Sequence, residues 1–524
     1  SAGGNSAPSQ GGTGASDGGC ESAGCVTLGG SAPSHAGTGT DVAGGESSAG
    51  TAGDGPLGAA RWLLLEPPAP PSTPEGLTAD HERNFSTRYC CSSADGSVIV
   101  GFSQYVFPDF SFKPSGEQSW PFIWREETGL KELGPISDPN HGLVTQIEPE
   151  YVTADGSRVL GSYALGEAGP GGSGPVWSTY VGGFFVWTEA QGYTRFGPPG
   201  PMRGGGHIYD FGADGKTALG QVQPDLSDSY GFLWTEANGY SLLKDLPEWP
   251  ADASEVTLSR DGSSVLGITG DFRGFRWRAS GLQWLGTLDP SLVCSPQVIS
   301  ADGAVIAGTC QDRNGSLAPI TFRWGETSGL VALDANSAVQ ICPTEISDRG
   351  DVLLGPACDA SGILHGLAYW ENGVGIRQAS PSANFASTYI VAARSLTADG
   401  SAAIGMRLVD DSERRAFQWT RSGGVRELPS LRAGDHAYAM SQTKDGRLIA
   451  GGAGDDAVLW DAAGIRNIGA ELRSAGVDQK GWGLNAALSV TAADSIIVHG
   501  SSSKSLPNSG WPEQRVWVAW LPAR

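Results

Sequence analysis

Along much of the chain, short apolar runs alternate with polar positions and break at Gly. A period of two belongs to a half-buried strand, not a helix. The clearest stretch is Ser300-Ala301-Asp302-Gly303, followed by Ala304-Val305-Ile306-Ala307-Gly308. Asp-Gly between such runs is a strong hairpin signal, because Gly accepts the positive φ of a tight turn between twisted strands and Asp tolerates it. The stretch recurs nine times, centred on Asp95, Asp155, Asp214, Asp261, Asp302, Arg349, Asp399, Asp445 and Asp494, at spacings of 41 to 60 residues. Two copies are degenerate: Arg349-Gly350 in the sixth and Asp494-Ser495 in the ninth.

Each copy is followed by an apolar tripeptide closed by Trp, as in Phe122-Ile123-Trp124, Phe275-Arg276-Trp277, Phe322-Arg323-Trp324 and Phe417-Gln418-Trp419. After most of these a Gly precedes another apolar run. One unit therefore reads strand, Asp-Gly turn, strand, loop, strand ending in Trp, Gly turn, strand. Four short strands in about 40–45 residues is the period of a propeller blade. The expected fold is all-β, a β-propeller of eight or nine four-stranded blades. A degenerate copy outside the ring, or two smaller arrays, would also accommodate nine units.

The repeats resemble the extracellular HAF repeats, named for a His-Ala-Phe tripeptide at the third strand. Arg415-Ala416-Phe417-Gln418-Trp419 is a close match with Arg in place of His. The end of the chain, from Gly476-Val477-Asp478 through Gly481-Trp482-Gly483-Leu484 and Ala492-Ala493-Asp494 to Val516-Trp517-Val518-Ala519-Trp520-Leu521-Pro522, looks like that family's closing repeat. The resemblance covers about residues 90 to 524. It implies a secreted or surface-attached β-propeller, and no catalytic residue comes with it.

Ala60-Arg61-Trp62-Leu63-Leu64-Leu65-Glu66 is strand-like but has no hairpin of its own, while the last repeat lacks a fourth strand. The N-terminal run is expected to complete the C-terminal blade and close the ring, leaving no open edge. Residues 58–524 then form one propeller domain. Residues 1–57 are Gly, Ser, Ala and Thr with almost no large apolar side chain, a composition too poor in burial to offset its ordering entropy. We read this segment as a disordered tether, and a lipid-modified Cys just upstream of Ser1 would suit it.

Charge narrows the partners. The chain has 524 residues and a net charge of −22, with only 17 % charged residues. That balance argues against nucleic acid and anionic lipid, both of which need a basic surface. No run of 18 apolar residues exists to span a membrane. With no initiator Met or signal peptide, the chain reads as processed or trimmed.

The eight cysteines point to an oxidising compartment. Cys294 and Cys310 flank the fifth hairpin and Cys342 and Cys358 the sixth, both 16 apart and centred on Asp302 and Gly350. Cross-strand partners lie within disulfide reach, so both pairs are expected to bridge. Their even registers favour a three-residue turn with a bulge. Cys20 and Cys25 are expected to pair in the tether. Adjacent Cys90 and Cys91 bridge each other, pair elsewhere or stay free. None has zinc-site CxxC spacing, and neither metal nor cofactor is expected.

Candidate chemistry is sparse. There is no Gly-x-Ser-x-Gly elbow, no His-Glu-x-x-His and no phosphate loop. His141, His207 and His436 each precede a first strand, but at uneven offsets. Glu148 with Glu150, or Asp410 with Asp411, are the carboxylate pairs that an enzyme would draw on. A lone Asp-Gly per turn is explained by turn geometry without calcium. Two insertions share one face: 102–121, with Tyr105, Phe107, Phe110, Phe112 and Trp120, and 162–183, with Tyr163, Trp177 and Tyr180. Aromatic loops on a rigid ring suit glycan or protein binding, although the same rings could instead pack on one another.

The sequence thus predicts an extracellular or surface-tethered binding module for a macromolecule or glycan, with ligand contacts at Tyr105, Phe107, Phe110, Phe112, Trp120, Trp177 and Tyr180. The alternatives are a propeller hydrolase or lyase with its site at the channel mouth, or a structural assembly protein.

Overall fold

The computed structural model describes residues 60–66, 84–106, 117–134, 136, 143–166, 179–198, 205–224, 228–313, 318–334, 337, 339–358, 364–379, 390–394, 396–408, 413–492, 495–505 and 512–523. Residues 1–57, read above as a tether, and the Cys20–Cys25 pairing expected in them lie outside the described residues.

Every Asp-Gly stretch or its degenerate copy lies between the first and second strands of a four-stranded antiparallel unit. The described residues form nine such units, over 84–132, 143–196, 205–242, 253–284, 292–332, 340–378, 390–427, 437–467 and 483–521. The ninth is completed by Arg61–Leu65, with Arg61 opposite Trp520, Leu63 opposite Val518 and Leu65 opposite Val516. First strands of neighbouring units approach one another, as Asn84–Ser92 does Leu143–Val152 and Ala437–Gln442 does Gly483–Ala492. This is a β-propeller of nine blades closed by the N-terminal strand. One short helix, Ile468–Ser474, sits in the connection from blade eight to blade nine.

The turns show why the repeat is spelled as it is. A hydroxyl two residues before the Asp, from Ser93, Thr153, Ser259, Ser300, Thr397 or Thr443, donates to the Asp Oδ1 at 2.6–2.8 Å. That Oδ1 also accepts the amide two residues on, and the hydroxyl accepts the amide five residues on; Ala304 N thus donates to Asp302 Oδ1 and Val305 N to Ser300 Oγ, at 2.9 Å each. In the sixth blade Asp351 takes over, accepting from Ser347, so the loss of Asp at Arg349 is compensated. These bonds favour the ionised carboxylate. The Thr153 hydroxyl foremost holds Asp155 down to about 2.

The turn Gly has a second duty, which is close approach. Gly303 has φ +66, and a Cβ there would lie 2.2 Å from Ser264 Oγ of the preceding blade. Backbone bonds also run from turn to turn: Asp261 N to Ala301 O at 2.9 Å, Ala301 N to Asp348 O at 3.1 Å and Asp348 N to Ala398 O at 3.0 Å. The polar centres of the Phe-x-Trp signatures tie the same seams. Arg276, Arg323 and Gln418 donate to the carbonyls of Gly303, Gly350 and Gly446 in the next blade, at 2.9, 3.2 and 2.6 Å. Between blades, aromatic and aliphatic side chains interlock. Phe322, Trp324 and Ile306 of blade five, for instance, pack on Leu266 of blade four.

At the closing seam, Trp124 of blade one lies 6.0 Å from Trp520, and Arg61 stacks 3.8 Å over Trp520 while ion-pairing with Glu126. Thr87 Oγ1 accepts Val516 N at 2.8 Å.

Cys294–Cys310 and Cys342–Cys358 are disulfides, with Cα atoms 4.0 and 5.9 Å apart. Cys90 and Cys91 are joined to each other. The expected three-residue turn is corrected. Ser300 N donates to Val305 O at 2.8 Å, which leaves a four-residue tip. The odd residue is Gln297, bulged within the first strand between Pro296 and Val298. Bulges recur on first strands, with Cys90, Glu150, Tyr209 and Met440 in that place in blades one, two, three and eight.

Candidate binding face

The blade order assigns every loop to one of two faces. The Asp-Gly tips and the Gly turns after Trp form a repetitive collar, whose Asp side chains are engaged within their own turns. The opposite face carries the loops between second and third strands and the connections between blades. Irregular chemistry collects there.

In blade four this face is formed by Thr269-Gly270-Asp271-Phe272-Arg273, between strands Val265–Thr269 and Gly274–Arg278. The loop keeps part of the bonding of the collar turn in a tip one residue shorter, closed by Thr269 N to Arg273 O at 3.1 Å. The Thr269 hydroxyl donates to Asp271 Oδ1 and accepts Arg273 N at 3.0 Å, and Phe272 N donates to Thr269 O at 2.8 Å. Phe272 stands where the collar has Gly, at φ +66, and is 56 % exposed. Arg273 donates to Asp271 Oδ2 at 2.9 Å and lies 4.3 Å over the ring of Trp284, which is 41 % exposed.

Between blades seven and eight the same face holds a cleft of about 440 Å³, lined by Glu413, Arg415, Glu427 and residues 428–434. Its charges already pair. Arg415 binds Glu413 at 2.6 Å and Glu427 at 3.3 Å, and the buried Arg407 binds Glu427. His436 lies beside it, its Nδ1 accepting Arg414 N at 3.2 Å.

The residues that an enzyme would use do not converge. Glu150 occupies the bulge of the first strand of blade two, its carboxylate bonded to the Ser162 hydroxyl and the Ile208 amide of blade three. Burial, with Glu148 adding, pushes it up to about 7. This is an interblade clamp, like Asp210, which accepts the Thr257 hydroxyl at 2.8 Å and Leu258 N at 2.9 Å from blade four. His207, also in blade three, stacks edge-on against Tyr209 at 4.5 Å, and burial lowers its pKa. His436 is in blade eight, across the ring from His207. His141, Asp410 and Asp411 lie outside the described residues. Among the described residues no group of three or more His, Cys, Asp and Glu side chains is arranged to hold a metal.

The insertions begin as long hairpins. Strands run to Val106 and from Glu117 in blade one, and to Gly166 and from Thr179 in blade two. Trp120 lies within a strand opposite Ser103, half-buried; Tyr105 is opposite Gln118 and Tyr180 opposite Leu165. Phe107, Phe110, Phe112 and Trp177 lie outside the described residues.

Sequence reasoning missed Phe272 and Trp284. The available signal was Thr269-Gly270-Asp271-Phe272, a collar turn spelled with Phe for Gly, which is recognisable only once the role of the turn hydroxyl is known.

No family model and no curated protein matches the chain by sequence. Solved structures with a similar fold include an oligogalacturonate lyase in complex with manganese (12 % identity, 60 % of this chain and 88 % of that one, TM-score 0.35). They also include dipeptidyl peptidase 4 of Porphyromonas gingivalis (10 %, 79 % and 64 %, 0.44) and the Cps50 (Swd1) β-propeller domain of Myceliophteria thermophila (14 %, 57 % and 86 %, 0.25). At these TM-scores the likeness assigns no role to any residue of this chain, whose architecture rests on its own strand order.

Proposed function

We propose that the protein is a binding propeller that recognises an extracellular macromolecule or glycan through the irregular face. The observation that carries this reading is the contrast between the two faces. The collar binds its own polar groups turn by turn, whereas the opposite face exposes Phe272 and Trp284, holds the charged cleft and bears both insertions. Three cysteine pairs and the resemblance to HAF repeats support an extracellular setting. No helix among the described residues is long and apolar enough to cross a membrane.

The test is a binding screen of the full chain against extracellular proteins and glycans. Hits are then re-measured with residues 107–116 replaced by a short Gly-Ser link, with the cleft variant Arg415→Ala and with the collar variant Asp399→Asn. The reading expects a hit weakened by an irregular-face change and untouched by the collar change. Hits sensitive only to the collar variant would refute it.

A further inference from the structure

Phe272 is unsuited by residue type to the backbone position it occupies. Its loop shares with the collar turn the hydroxyl bond to the Asp and the bond from the following amide to the hydroxyl residue's carbonyl, in a tip one residue shorter, and the collar residue in that place is Gly, with the same φ of +66 at Gly303 and Gly350. For a bulky side chain this region is an outlier, and such strain persists only where the surroundings impose it. A ring that is 56 % exposed gains too little burial to offset it. The loop is nevertheless firmly held. Gly270 N donates to Asp252 O and Oδ2, both at 3.1 Å, and Arg273 bridges to Cys294 of blade five. Next to it, Trp284 is exposed, covered on one side by Arg273 and braced edge-on by Phe275 at 6.1 Å. Two rings are therefore presented to solvent on a rigid support, with the charged pair Asp271 and Arg273 beside them.

We propose that Phe272 and Trp284 form a platform for the pyranose rings of a neutral glycan, a reading that rests on the binding face above. An aromatic face packs on the C–H surface of a sugar, and flanking polar groups take its hydroxyls. Asp271 and Arg273 neutralise each other, and a net charge of −22 repels polyanions, so the fit is to an uncharged chain. The two half-exposed rings offer on the order of 200 Å². A stable protein interface needs about 800 Å² per partner, which disfavours a protein ligand here. Rigidity reduces the ordering cost of binding.

The experiment is affinity electrophoresis of the full chain through gels containing soluble β-glucan, mannan, xylan or galactan, with Phe272→Gly, Trp284→Ala and thermal melts alongside. At least one polysaccharide is expected to retard the wild type, and each variant to bind about tenfold more weakly. Phe272→Gly also restores the residue that the turn favours, so its melting midpoint should be unchanged or raised by up to about 2 °C. A lowered midpoint would show that the ring serves packing and would overturn the proposal. So would retardation equal in wild type and variants, or no retardation of the wild type in any gel. A chain that ignores all four polysaccharides yet captures a protein through the irregular face removes the saccharide and leaves the face standing.

Discussion

At the scale of single residues, the glycines of the Asp-Gly tips are selected twice, once by φ and once by the neighbouring blade, whereas most of those in the turns after Trp are selected by φ alone. Gly303 and Gly329 separate the two causes. Both have positive φ, +66 and +63, but a Cβ at 303 meets Ser264 Oγ at 2.2 Å while one at 329 meets nothing within 4 Å. Gly329→Ala should therefore cost about 1 kcal/mol, from backbone strain alone. Gly303→Ala should cost about 2–4 kcal/mol, because Ser264, itself buried, cannot step aside. Chemical denaturation of the two variants checks this, and equal losses would assign the whole effect to φ. The buried polar centres Arg276 and Gln418 follow the same logic, since each sits in a core tripeptide because the next blade offers a carbonyl.

At the scale of the element, the blade was largely legible because its signals are local. Asp-Gly marked seven of the nine first hairpins and a degenerate copy the other two, the Trp-ended run every third strand, and the cysteines at 294 and 310 a direct cross-strand pair. What escaped were features set by a neighbour or by a partner outside the motif. These include the hydroxyl two residues before six of the turn Asp residues, the substitution of Asp351 for the lost Asp, and the odd residue Gln297, placed in the strand instead of the tip. The candidate site was less legible. The insertion aromatics were chosen by composition, whereas Phe272 becomes visible only by comparing its turn with the collar. The hairpin disulfide has a calculable role. Closing 16 residues in the unfolded chain predicts that Cys294→Ala with Cys310→Ala lowers stability by about 3 kcal/mol. Denaturant titration reads this, and a loss below about 0.5 kcal/mol would mean that the pair does not bridge in solution.

At the scale of the whole molecule, the ring depends on the seam between blades nine and one. That seam differs from the others. His499 stands, fully buried, where blades two to four have Leu160, Leu219 and Leu266. Its ring faces Gly96 of blade one, and Ser92 and Ser489 hydroxyls meet across the seam at 3.1 Å. Burial pushes His499 down to about 3. The folded chain therefore binds this proton less readily than the unfolded chain, whose His titrates near 6.5. Stability should be intact above pH 6.5 and fall as pH drops toward 3, by up to about 1.4 kcal/mol per unit from this group. His499→Leu should flatten that part of the profile. Unfolding free energies at pH 7 and pH 5 decide it, and an identical slope in wild type and variant would remove His499 from the account.

The two faces exist only because the chain's ends meet in one blade. The most direct measurement is oxidation of a Leu63→Cys, Val518→Cys variant followed by non-reducing peptide mapping. Residues 63 and 518 lie opposite each other in the register. A closed ring gives a 63–518 disulfide within monomers. Thiols left free at both positions, or linkage found only between molecules, would contradict the closed ring and the binding face built on it.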